Sequence, residues 1–166
     1  MKPGITPPMH THDRQDFDCR ACAQHAAQSW PDSSRRDFNR TYVAAFPGQS
    51  RIHGFMHCAA SIHFENLPQT RNLPRYPVPV ARIGRLAVDL RSQGMGVGLM
   101  LLQHAMNLAE SLSQQIGLYA LFVEAKHETA GAFYARYGFE RLPDHPLNLF
   151  LTIDLIRRAR AASVAH

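Results

Sequence analysis

A glycine at every second position, set between a buried strand and an amphipathic helix, constrains this chain more than any other feature. Ala81–Val88 (ARIGRLAV) has the apolar character of a buried strand. It runs through Asp89, Leu90, Arg91, Ser92 and Gln93 into Gly94-Met95-Gly96-Val97-Gly98. From there Val97, Leu101, Ala105, Leu108 and Leu112 recur at spacings of three and four, the period of a helix with one apolar face. Glycine lets backbone N–H groups turn toward a ligand with no Cβ in the way. The first turn of a helix adds unpaired N–H donors and a partial positive charge. Together they make an anion site suited to a pyrophosphate, with Arg91 as a further cation at its mouth.

The remaining elements surround this unit. Arg40–Phe46 and Arg51–Ser61 read as strands joined by Pro47-Gly48-Gln49-Ser50, a hairpin signal. Residues 66–79 carry four prolines, and a loop is expected there because proline excludes a central strand. Gly117–Val123 reads as a second buried strand, Thr129–Tyr137 as a short helix stopped by Gly138, and Leu147–Ile153 as a closing strand. Residues 16–30 suit a short Ala-rich helix, followed by a turn at Pro31–Ser34. The Pro-rich residues 1–15 read as a flexible arm, residues 16–156 as one domain, and 157–166 as a basic tail that frays. Strands and helices in this order imply an α/β (α+β) fold with a mixed sheet flanked by helices.

Length and composition limit the function classes. A chain of 166 residues is one domain's worth and can bury a core unaided. With 45% apolar and 19% charged residues it is not disordered. No apolar run reaches the length of a membrane span, and the polar N-terminus lacks the apolar stretch of a secretory signal, so a cytoplasmic protein is expected. The net charge is +5, and Lys2 and Lys126 are the only lysines, so the basic side is almost entirely arginine. Guanidinium forks suit phosphate, although a GC-rich genome produces the same bias.

Cys19, Cys22 and Cys58 cannot all pair, and reduced thiols are expected. Cys19, Cys22 and His25 could share a helix face, but a structural zinc needs four ligands, and His53 and His57 add no confirming spacing. No metal is expected.

Three phosphate-binding loops compete for residues 91–98. The P-loop requires Gly-Lys-Ser/Thr, which is missing. The dinucleotide fingerprint requires G-x-G-x-x-G and an acidic residue about 20 positions on, whereas the spacing is G-x-G-x-G and Glu110 falls inside the helix. The third is the pyrophosphate loop of an acetyl-CoA-dependent transferase. Arg91-Ser92-Gln93-Gly94-Met95-Gly96 resembles the (Q/R)-x-x-G-x-(G/A) loop of the GNAT superfamily of N-acetyltransferases. Ala130–Phe139 (AGAFYARYGF) is similar to that superfamily's A-x-x-(F/L)-Y-x-x-x-G-F segment, in the right order. A narrower resemblance, to the GNAT toxins of bacterial toxin–antitoxin pairs, rests on Gly84–Asp89 (GRLAVD), Phe133-Tyr134 and Pro146–Leu151 (PLNLFL). Phe17-Asp18-Cys19 and Arg40-Thr41-Tyr42-Val43 share in it. The likeness is close over residues 78–154. It departs at residues 22–30, where family members carry a Leu-rich helix ending in Trp-Leu.

The resemblance implies a mostly antiparallel GNAT sheet and direct attack of an amine on the thioester of acetyl-CoA, the co-substrate. It implies that Leu86, Ala87 and Val88 offer backbone groups to the pantetheine arm. A backbone N–H near Val88 would stabilise the oxyanion. Arg91, Gln93, Gly94, Met95, Gly96, Val97 and Gly98 would hold the pyrophosphate. His127 would cap the second helix or touch the cofactor. Tyr134 matches the general acid that protonates the leaving thiolate, with Phe133 and Tyr137 as packing residues. Glu124 could serve as a base, though an esterified α-amine, already largely neutral, needs none.

The leading expectation is therefore an N-acetyltransferase toxin that acetylates the α-amine of aminoacyl-tRNA, with Arg35, Arg36, Arg71, Arg75, Arg82 and Arg85 as candidate phosphate contacts. A ribbon-helix-helix antitoxin partner is implied by the resemblance alone, and a homodimer stays open. Two alternatives remain: an acetyltransferase of a small amine, and a non-catalytic module that binds CoA or an antitoxin.

Overall fold

The computed structural model describes residues 3–6, 39–63 and 78–164. Among them are seven strands: β1 (Gly4–Thr6), β2 (Arg40–Ala45), β3 (Ile52–His63), β4 (Val78–Val88), β5 (Ala120–Glu124), β6 (Glu140–Arg141) and β7 (Asn148–Thr152). Three α-helices accompany them: α1 (Val97–Ser113), α2 (Glu128–Arg136) and α3 (Ile153–Val164). The strands hydrogen-bond in the order β1-β2-β3-β4-β5-β7-β6. The β4–β5 pair is parallel, while β1–β2, β2–β3, β5–β7 and β6–β7 are antiparallel. The expected mixed, mostly antiparallel sheet is therefore present.

The contacts divide the chain into two compact units, one of Met1–Ala59 with Gly84–Ala105, the other of Ala60–Ile83 with Met106–His166. In the first, Pro47-Gly48 turns β2 into β3, with Gly48 at φ 77° and Gln49 N–H donating to Phe46 O at 3.0 Å. Val43, Ile52, Phe55 and Met56 are fully buried. Gly54 brings β3 against the start of α1: a Cβ there would stand 2.9 Å from Val97 Cγ1 and 3.0 Å from Leu101 Cδ1. The apolar stripe of α1 thus begins at the glycine loop, and its first two members, Val97 and Leu101, lie against β3.

In the second unit, every residue of Ala120–Val123 is buried, as expected of a strand covered on both faces. Val80, Ala120, Phe122, Leu142 and Phe150 form its core, with Val78 and Tyr119 packed against them. Gly138, at φ 90°, ends α2: its N–H reaches Ala135 O at 3.1 Å and Phe139 N–H reaches Tyr134 O at 3.3 Å. That is the paired carbonyl capping that a left-handed residue permits.

Three expectations are corrected. Gly4–Thr6, placed in a flexible arm, form an edge strand on β2, because prolines at 3 and 7 leave three residues free to pair. The loop expected through residue 79 ends earlier: β4 starts at Val78, where Pro79 uses only its carbonyl, accepting from Tyr119 N–H at 2.9 Å. The basic tail is helical to Val164. Ile153 and Ile156 are buried on one side of α3, Thr152 Oγ1 accepts from Leu155 N–H at 3.3 Å, and the arginines are anchored. Arg160 meets Glu110 at 2.7 Å and Arg157 meets Ser113 Oγ at 2.9 Å. The expected helix at 16–30 and the turn at 31–34 lie outside the described residues.

Candidate active site

The glycine loop is a continuation of β4. After Val88 the chain makes a single turn of 3-10 helix, Leu90–Ser92, where an irregular loop was expected. Asp89 caps it, its side chain accepting from Arg91 N–H at 2.9 Å. Gly94 and Gly96 follow at φ 76° and 79°, a region that costs an L-residue roughly 1–2 kcal/mol. Met95 sits between them, 60% exposed. Met100 N–H is bonded to Gly96 O at 3.0 Å, so Val97, Gly98 and Leu99 occupy the first turn, whose N–H groups have no carbonyl one turn back. Among the described residues, a Cβ on Gly94 or Gly96 would meet nothing within 4 Å, so the described structure leaves the loop open. An open cradle of backbone donors at the start of a 17-residue helix fits a pyrophosphate. Gly98 lies inside α1 and serves as helix backbone.

The foot of the loop is tied to the β2–β3 hairpin by contacts that motif reading did not foresee. The Asp89 carboxylate, with no exposed side-chain surface, accepts from Arg91 Nε and Nη2, both at 3.0 Å, and from Arg51 Nη2 at 3.3 Å. Asp89 N–H donates to His53 O at 2.9 Å. His53 Nδ1 and Ser92 Oγ, both buried, are 2.8 Å apart. Burial first, then the Arg51 and Arg91 charges, lower the His53 pKa against the opposing pull of Asp89. The available signal was an acidic residue directly at the end of a buried strand; its partner Arg51, just before β3 and 38 residues away, left none.

At this end of β4, Leu86 and Val88 are half-buried and Ala87 is buried. Arg85 lies beside His57 and helps burial lower the His57 pKa to about 4. Thr41 Oγ1 is 2.8 Å from His57 Nδ1.

In the second unit, α2 carries Tyr134 and begins at His127. The His127 imidazole accepts from Ala130 N–H at 3.2 Å, so it caps α2, the first of the two roles expected of it. Tyr134 is 6% exposed, with its ring 5.2 Å from Phe133 and 5.5 Å from Phe139. Phe133 also meets Tyr137 at 5.2 Å, as packing residues do. Arg141 binds Glu128 through two hydrogen bonds of 3.1 and 2.6 Å and Pro146 O at 2.8 Å. Gly131 leaves room for that guanidinium, since a Cβ would stand 3.1 Å from Arg141 Nη1. The first turn of α2 is thereby fixed to the segment before β7.

Glu124 is paired with Arg82 at 3.0 Å, both exposed, which gives Glu124 a surface role. Cys58 is half-buried, and burial pushes its thiol up to about 12. Arg35, Arg36, Arg71, Arg75, Cys19, Cys22 and His25 lie outside the described residues. Among the described residues no helix is long and apolar enough to cross a membrane.

Comparison with known proteins agrees with this geometry. Residues 37–141 match the family model described as acetyltransferase (GNAT) domain. The chain is 40% identical over 126 residues to the tRNA-acetylating toxin of Mycobacterium tuberculosis (strain ATCC 25618 / H37Rv), covering 74% of this chain and 72% of that one. Its fold is similar to AtaT complexed with acetyl-methionyl-tRNAfMet, with TM-score 0.86, 27% identity, and 94% and 98% of the two chains covered. It is also similar to a mutant AtaT toxin bound to the C-terminus of the antitoxin AtaR, with TM-score 0.82, 28% identity, and 96% and 98% covered. The chain belongs to the GNAT acetyltransferase family.

Proposed function

We propose that this N-acetyltransferase moves the acetyl group of acetyl-CoA onto the α-amine of an aminoacyl-tRNA, acting in the cytoplasm as a toxin that stops translation. The observation that carries the reading is the 40% identity, over 74% of the chain, to a tRNA-acetylating toxin. The open loop at Gly94–Gly96 and the first turn of α1 support acetyl-CoA as donor. A segment of an antitoxin, of the kind AtaR supplies to AtaT, would neutralise it.

The reaction is a direct transfer. The neutral α-amine attacks the thioester carbonyl, a C–N bond forms and the C–S bond breaks. The amine loses a proton to solvent, and the coenzyme A thiolate takes one from the Tyr134 hydroxyl, which solvent then restores. A backbone N–H near Val88 stabilises the oxyanion. Holding amine and thioester together supplies a large share of the rate. A free α-amine has a pKa of about 7.7–8.0 and esterification lowers it further, so no carboxylate base is needed. That agrees with the pairing of Glu124 to Arg82. Arg85 and Arg82 are the described candidates for phosphate contact.

The test is acetylation of a pool of charged tRNA by the purified protein, with mass spectrometry of the released N-acetyl amino acid. Product should appear, and its rate at limiting tRNA should fall steeply with salt as phosphate contacts lose their counterion gain. Acetylation of a small amine with every charged tRNA untouched would replace the reading with the small-molecule transferase. Coenzyme A bound with turnover on neither would leave a binding module.

A further inference from the structure

We infer that Asp89 is a positioning residue for the donor site: braced by the turn Leu90–Ser92, it holds the Arg91 guanidinium in place, so that Arg91 meets the donor pyrophosphate without rearrangement. The inference rests on residues 93–98 being the acetyl-CoA pyrophosphate loop.

Capping a single turn of 3-10 helix takes one carboxylate oxygen and one N–H, and Asp89 Oδ1 already does this for Arg91 N–H. The other contacts exceed that need. Oδ1 and Oδ2 grip Arg91 at Nε and Nη2 in a two-point fork, and Arg51 reaches the same carboxylate from the hairpin. A carboxylate with no exposed surface is costly unless its charge is paired and its lone pairs are filled. Two guanidiniums and an amide satisfy it, so it has one stable arrangement and acts as a fixed post. The backbone is fixed on both sides of it. Asp89 N–H is bonded to His53 O, Ser92 N–H to Asp89 O at 2.8 Å, and Ser92 Oγ lies against His53 Nδ1.

Two physical consequences follow for an anion. Two guanidiniums around one carboxylate leave the foot of the loop with net positive charge. Arg91 is still 45% exposed, so its cation borders solvent beside the loop while its rotamer is already chosen. A long side chain ordered before binding does not lose that freedom on binding, which raises affinity without a new contact. Charge alone argues for the opposite outcome, because removing the Asp89 charge makes the foot of the loop more positive. The sign of the effect therefore separates positioning from simple electrostatics.

The experiment is calorimetric titration of the purified full-length protein with coenzyme A, alongside steady-state acetylation and thermal unfolding. Asp89→Asn keeps the shape and loses the charge. Its coenzyme A Kd and acetyl-CoA KM should rise about 10-fold, with kcat falling less than KM rises. In an Arg91→Ala background the same substitution should cost less than about 3-fold, because its route runs through Arg91. Equal or tighter binding by Asp89→Asn overturns the inference, and so does a full 10-fold loss that persists without Arg91. If Asp89→Asn fails to fold, Arg51→Ala and Ser92→Ala test the same brace from its two other ends, and unchanged coenzyme A affinity in both overturns it. Wild type that binds no coenzyme A removes the loop assignment itself and the inference with it. Wild type that binds normally while Asp89→Asn binds equally well removes the inference alone.

Discussion

Gly54 of β3 leaves no room for a side chain beside Val97 of α1: a Cβ on Gly54 would lie 2.9 Å from Val97 Cγ1, with Ala87 O at 3.0 Å. Gly54→Ala should therefore overpack the seam that seats the start of α1. A destabilisation of about 1–3 kcal/mol is expected from a methyl forced into a filled site. The first turn of α1 would shift as well, so coenzyme A affinity should fall with stability. Urea unfolding and calorimetric titration of the same sample check both. Unchanged stability would mean that the helix yields freely.

Gly96→Asp should abolish acetyl-CoA binding while leaving the fold intact. A Cβ at Gly96 meets no described atom within 4 Å, so the loss comes from the φ of 79° and from a carboxylate facing the pyrophosphate. Gly96→Ala isolates the first cause and should cost only the left-handed strain, about 1–2 kcal/mol. Equal affinity in Gly96→Asp and wild type would remove the loop from the donor site.

Tyr134→Phe should lower kcat by about 10²–10⁴-fold with acetyl-CoA affinity nearly unchanged. The ring packs against Phe133 and Phe139, contacts that Phe retains, so stability should move by about 1 kcal/mol or less. Expression of wild type should arrest growth, and the variant should relieve it. Turnover at the wild-type rate would place the general acid elsewhere.

Stability should fall as the solution is acidified below neutral. His57 is buried beside Arg85, which lowers its pKa from 6.5 to about 4 in the folded chain. Above 6.5 the ring is neutral whether the chain is folded or not, and its full contribution is present. Between 6.5 and 4 the unfolded chain takes up a proton that the folded one refuses, so stability declines, by at most about 3 kcal/mol. Burial lowers His53 and His104 in the same direction. Urea midpoints at pH 7 and pH 5 measure the drop, and His57→Asn should make it shallower.

What the order of residues determines here is local. The glycine pattern after Val88, the period of three and four along α1 and the stop at Gly138 each act over one or two turns. Their partners are neighbours in the chain, so composition and spacing reveal them. The loop-to-helix anion cradle at Gly94–Gly98 was legible for that reason, whereas local pattern gave only the short helix closed by glycine around Tyr134, and its expected role came from the family resemblance. The tertiary structure decided what depends on partners far along the chain. Arg51 meets Asp89 across 38 residues, Arg160 meets Glu110 across 50, and Gly4–Thr6 become a strand only because β2 lies beside them. A basic run continues as helix because Ile156 finds a core, and Pro79 joins a strand because its carbonyl finds Tyr119. A buried charge is tolerated, and an edge is paired, only when the chain has already closed around it. No local pattern records that closure.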